Sequence, residues 1–156
     1  MQKILSPRGS FIFSSRNRLF NIFSISASTL IEINGSDLEA LMKEALALAS
    51  NAEIEELMTM NCASLQKADT KHERTGVDVT TRFQYTPVQL MKMLSERGLK
   101  AVEIVPIHIH GVPPAFKDKH PEIHASISNL LQTYAEQSTE LIPFSSSFML
   151  HAQKGE

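Results

Sequence analysis

The chain has 156 residues, 42% of them hydrophobic and 21% charged, with a formal net charge of −2. That length fits one domain, residues 1–156, and a weakly acidic balance gives no general pull towards nucleic acid or anionic membrane. No apolar run approaches the ~20 residues of a membrane span, and the single cysteine, Cys62, excludes an internal disulfide framework.

In chain order, Ile4-Leu5 and Ser-Pro-Arg-Gly read as a helix end followed by a turn. Residues 1–13, MQKILSPRGSFIF, lack the long apolar stretch of a signal peptide, so the expected location is cytoplasmic. Phe11 to Ser15 reads as a strand, and Arg16-Asn17-Arg18 as its polar exit. The segment FSISASTLIEI has mixed periodicity, extended or loop. Ser36 and Glu39 suggest a capping box, opening a helix with Leu38, Leu41, Met42 and Ala45 on one face. Residues 51–65 read as a second helix, with Ile54, Leu57, Met58 and Leu65 inward. Gln66 to Thr81 is a polar connection.

The most legible stretch is TPVQLMKMLSERGLKAVEIVPIHIH, Thr86 to His110. Thr86 and Gln89 suit a capping box, Pro87 suits the first helical position, and Leu90, Met91 and Leu94 share a face. Gly98 can stop the helix in a left-handed conformation. Leu99 to Ile109 then reads as a strand buried on both faces. Gly-Val-Pro-Pro interrupts regular structure. Pro121 opens a helix whose apolar positions are Ile123, Ile127, Leu130, Leu131 and Tyr134, and Phe144 to Ala152 alternates as a last strand.

ILSPRGSFIFSSRNRLFN resembles the segment that opens the C-terminal half of class I S-adenosylmethionine-dependent methyltransferases, a Pro-Gly-Gly run and a strand ending in Thr/Ser-Arg-Asn. Those enzymes continue with a variable helical insertion, a helix opening Thr-Pro, a Gly stop and an apolar strand. Asn34 to Thr86, TPVQLMKMLSERGLKAVEIVPI and SSSFMLHAQK are similar to these in the same order. The likeness covers nearly the whole chain and departs from the family at Arg8-Gly9-Ser10.

The resemblance implies an α/β fold, a partial Rossmann-like sheet of about three strands with the last one antiparallel between the other two. Residues 22–85 would be a helical insertion or lid. It implies S-adenosylmethionine as cofactor and a small-molecule methyl acceptor as substrate, while charge and the lack of a long apolar run leave neither nucleic acid nor membrane as an expected partner. The family binds its cofactor on a Gly-rich turn and an acidic strand end, yet this chain has six glycines and no G-x-G. The expectation is therefore the back half of a methyltransferase, incomplete and inactive by itself, with Ser10 to Ser15 as an open edge prone to self-association.

Ligands of α/β sheets gather beyond the carboxyl ends of parallel strands. By the resemblance, those ends and the insertion face the acceptor. Arg16 and Asn17 would contact it there; Arg16 could grip a carboxylate or phosphate, or simply be a solvated cation. His108 would also line the substrate, and His110 could act as general base or serve only in packing. Phe116 could close an acceptor pocket or be an ordinary apolar anchor. Two alternatives stay open. One is a non-catalytic protein that completes its sheet with a partner. The other is a metal-dependent enzyme using His108, His110, His120 and His124, helped by Glu103 or Glu122.

Overall fold

A computed structural model of the chain describes residues 6, 9–65, 83–135 and 138–155. The expectations for Ile4-Leu5 and for Gln66 to Thr81 lie outside them.

The fold is α/β. Among the described residues one sheet forms from β1 (Ser10–Arg16), β2 (Leu99–Ile109) and β3 (Ser145–Lys154), in the order β1-β3-β2. The last strand is central and antiparallel to both neighbours, so β1 and β2 run the same way. Leu150 is flanked by Phe13 and Ile104, and Ala152 by Phe11 and Ala101. Alternation puts Phe148, Leu150 and Ala152 on one face, fully buried, while Met149 and His151 stand half-buried on the other.

The buried face packs on helices, and its core gathers Leu41, Leu48, Leu57, Val88, Met91 and Phe148. Between β1 and β2 come α1 (Phe20–Phe23), α2 (Ala27–Ile33), α3 (Leu38–Ala49), α4 (Ile54–Thr59) and α5 (Pro87–Ser95). The segment read as extended or loop is thus α1 and α2. Short-range bonds explain the difference: the Ser26 N–H donates to Thr29 Oγ1 at 3.0 Å and begins α2. Ile25, between the two helices, sits at φ 49°, a strained position for a β-branched residue.

Helix α3 does not use the expected box of Ser36 and Glu39. Asp37 occupies the cap position without capping, its carboxylate drawn to Arg18 and Ser64, and Glu39 pairs with Lys43 at 2.6 Å. Helix α4 ends at Thr59, short of the expected 51–65, and Leu65 is exposed. The chain beyond is held extended: Gln89 Nε2 donates to the carbonyls of Ala63 and Ser64.

Helix α5 follows its sequence closely. The Thr86 N–H donates to Gln89 Oε1 at 2.8 Å and the Gln89 N–H to Thr86 Oγ1 at 3.2 Å. Gly98 ends the helical segment at φ 67°. By contrast, β2 is not buried on both faces: Lys100, Val102, Glu103 and His108 are exposed. It is an edge strand, and its register slips between Ala101 and Glu103.

After β2 come α6 (Pro114–Lys117), α7 (Pro121–Ala135) and a 3-10 turn, Thr139–Phe144, that carries the chain into β3 at Ser145. Helix α7 forms where expected, yet Ile123, Leu130 and Tyr134 are exposed and its buried positions are His124 and Ala135.

Candidate functional site

Because β1 and β2 are parallel, their carboxyl ends open on one end of the sheet, beside the start of β3. Asn17 and Arg18 leave β1 there, and Ile109 and His110 leave β2.

Asn17 is almost fully buried. Its Nδ2 donates to the carbonyls of Ile142 (2.7 Å) and Ser145 (3.0 Å), and its Oδ1 accepts from the Leu19 N–H (3.0 Å). With both amide hydrogens committed, Asn17 pins the end of β1 to the start of β3. Arg16, one residue before, has an exposed side chain and no ion pair among the described residues. The backbone beside it is closed by Tyr85, whose N–H donates to the Arg16 carbonyl and whose carbonyl accepts from the Arg18 N–H.

The centre of this end is Arg18, which spacing alone marked only as part of a polar exit. Its guanidinium is buried and forks onto Glu32, Nε to Oε1 at 3.1 Å and Nη2 to Oε2 at 2.9 Å. It also donates to the Ser64 carbonyl at 2.5 Å and to Asp37 at 3.3 Å. Glu32 accepts further from Asn21 Nδ2 at 3.0 Å, and Asn21 reaches Gln84. The Ser64 hydroxyl, then its N–H and Arg18, hold the Asp37 carboxyl below the usual range. One arginine thereby ties α2, the start of α3 and the chain after α4 to the end of β1. A buried pair with so many supporting bonds orients its neighbours, and breaking it leaves an uncompensated charge. The sequence signal was present in the run TLIEI, where Glu32 interrupts apolar residues.

Glu44 was also missed. It lies on the stripe of Leu41, Ala45 and Leu48, where a carboxylate at helical spacing marks a core-facing charge. It accepts the Val88 N–H at 2.9 Å, in the first turn of α5. Burial pushes its carboxyl up to about 7, opposed by the Val88 N–H, the Thr86 hydroxyl and the charges of Lys92 and Arg18.

The β2 side of the site is aromatic. His110 is half-buried, its ring against Phe20 at 4.6 Å between centroids and edge-on to His124 at 5.2 Å. Its Nδ1 lies 3.2 Å from His124 Nε2, and its N–H donates to the Phe144 carbonyl. Burial pushes the His110 imidazole down to about 4, reinforced by His124, Lys117 and His108. It is therefore neutral near pH 7.

His108 stands apart. It takes φ 53°, its side chain is exposed, and the alternation that would have put it beside His110 is broken. Phe116 is exposed on α6. The structure thus brings His110 together with Phe20 and His124, and leaves Arg16, His108 and Phe116 facing solvent. Among the described residues no three His, Cys, Asp or Glu side chains converge as a metal would require.

A nucleotide-like cofactor needs backbone at close approach, and neither Gly35 nor Gly111 opens a cradle. A Cβ on Gly35 would meet the carbonyls of Glu32 and Ile31 at 3.3 Å, and one on Gly111 would run into Ile127. The exit from β1, Asn17-Arg18-Leu19, has no glycine and a buried asparagine. The residues described therefore do not fit S-adenosylmethionine. Compared with protein-family models and with curated proteins, the chain matches none.

Proposed function

We propose that this chain is the acceptor-side portion of a methyl-transfer fold, acting on a small molecule. The observation that carries this reading is the sheet. Its last strand runs antiparallel between two parallel strands, the arrangement implied by the family resemblance. Three such strands are not by themselves a Rossmann-like sheet, so the support comes from their combination with the helical insertion and the Thr-Pro-capped helix.

On this reading the acceptor sits beyond Arg16 and His110, against the Phe20 ring. With an acidity near 4, His110 is a weak base at neutral pH. It serves the acceptor as a neutral hydrogen-bonding partner, which suits a reaction that depends mainly on positioning. Arg16, exposed and without an ion pair among the described residues, has the fork needed for an anionic acceptor. S-adenosylmethionine enters this proposal only through residues outside those described, and no step is assigned to it.

The second reading, a non-catalytic protein that completes its sheet with a partner, is favoured by the outer edge of β1. Asn17 donates to the Ser146 carbonyl, so alternation turns Phe11, Phe13 and Ser15 towards β3, and the backbone groups of Ser10, Ile12 and Ser14 outward. Among the described residues nothing pairs with them, and Ile12 is 58% exposed. No Lys or Pro guards Phe11 to Ser15. Self-association through Ser10 to Ser15 is part of this second reading.

The experiment is to determine the mass and the upstream reading frame of the native polypeptide, and to titrate it with S-adenosylhomocysteine. A polypeptide larger than 17.4 kDa, carrying a Gly-rich strand-turn-helix and binding the ligand, supports methyl transfer. A native 17.4-kDa polypeptide that binds no S-adenosylhomocysteine and pairs through β1 overturns it in favour of the interaction protein.

A further inference from the structure

The end of the sheet opposite the candidate site holds a second recess. It lies where β2 begins and β3 ends, roughly 30 Å from His110 given the rise of an 11-residue strand. Its volume is about 640 Å³, within the range of small-molecule sites. Ile54 and Met58 of α4, Met91 of α5, and Leu99 and Ala101 of β2 line it with flexible or aliphatic groups, and no aromatic ring is among its described lining residues.

Its charged and hydroxyl side chains are those of Ser95, Glu55, Lys100 and Lys154. Among the described lining residues two ammonium groups thus accompany one carboxylate. Glu55 sits 3.5 Å from Lys100, both about 70% exposed, a pairing that exchanges easily with another anion. Lys154 has no ion pair among the described residues. The carbonyls at the end of α5 do not offset this positive balance: those of Lys92, Leu94 and Ser95 already accept from Glu96, Arg97 and Gly98. Apolar side chains beside charges that are positive in balance among the described lining residues are complementary to an amphiphilic anion.

We propose that this recess binds the free form of a saturated, medium-chain carboxylate, its alkyl chain along the half-buried Ile54 and Met58 and its head group at Lys154 and Lys100. The Met58 side chain adapts to a chain of variable conformation, and a linear tail needs no directional partner. This site is independent of the methyl-transfer reading, because none of its residues belongs to the Arg18 or His110 clusters.

The test is a titration of the isotopically labelled chain with octanoate, decanoate and dodecanoate, all as monomers, following the backbone amides of Gly98 and Gly155 by NMR. Affinity should rise about four-fold per added methylene until the recess is filled. Dodecyltrimethylammonium should bind at least ten-fold more weakly than dodecanoate, and Lys154→Glu should reverse that order without changing the thermal midpoint. Met58→Lys should weaken dodecanoate more than octanoate. Four results would overturn the proposal: no amide shift at Gly98 and Gly155, a flat dependence on chain length, equal binding of the ammonium, or shifts that map to His110. Binding to phosphatidylcholine vesicles free of fatty acid, stronger than to dodecanoate monomers, would also overturn it, by making a lipid surface the occupant.

Discussion

Helices α5 and α7 both pack on β2, and both read as amphipathic from spacing. Their outcomes differ. In α5 every apolar position named from the sequence is buried, whereas Ile123, Leu130 and Tyr134 of α7 face outward. The first turn of α5 is held by its own capping box and by Glu44 reaching across from α3, with α4 on its flank. Helix α7 is tied to β2 by Gln132, whose Nε2 donates to the Pro106 carbonyl at 3.4 Å, and its buried side carries His124 against His110. An apolar stripe identifies a helix; what covers the stripe is decided by neighbours elsewhere in the chain.

The same two regions each carry a strongly displaced acidity. Glu44 holds its proton more tightly folded than unfolded, so its contribution to stability falls as pH rises from about 4.5 to about 7. His110 holds its proton less tightly folded than unfolded, so its contribution falls as pH drops from 6.5 to about 4. The slopes oppose one another across the acidic range.

The largest effect that would sharpen this comparison is expected on the α3–α5 side, at Arg18. Arg18→Ala should destabilise by about 3–5 kcal/mol in urea unfolding, because Glu32 is left buried and unpaired. Replacing both partners, Arg18→Met with Glu32→Leu, should recover most of that loss; an uncorrected double variant would show that the network does more than neutralise charge. Next comes Glu44→Gln. It should flatten the fall in thermal midpoint between pH 4.5 and 7, worth at most roughly 3 kcal/mol, and expose the acid sensitivity due to His110. His110→Asn should remove that sensitivity instead.

Thr86→Ala should cost about 1 kcal/mol by opening the α5 capping box. A change within 0.5 kcal/mol would mean that tertiary contacts alone place this helix. The smallest stability change, within about 0.5 kcal/mol, is expected from Leu130→Lys on the exposed side of α7. Ile12→Lys should be equally mild for stability while abolishing any concentration-dependent mass in sedimentation, since it charges the open edge of β1. If Leu130→Lys were the variant that separates copies, the interface would lie on α7.

Local chemistry was enough for much of this molecule. Thr86, Pro87, Gln89 and Gly98 announce the bounds of α5, since capping and the left-handed stop involve only neighbours in sequence. The alternation of Phe148 and Leu150 likewise announces β3 and its buried face. From the candidate site, His110 and the strand ends were legible, as was the position of Asn17, though not its role as a pin.

Long-range partners decided the rest. Asp37 looks like an ordinary surface carboxylate, and Glu32 like a break in an apolar run, until Arg18 is placed between them. The stretch read as extended or loop is helical because its start is bonded to itself and its Glu32 to a residue 14 positions away. His108 leaves the face that strand alternation would give it because φ 53° turns the strand just before its end. Spacing along a chain encodes which face of an element is apolar, while burial of a charge depends on a partner brought near only by folding.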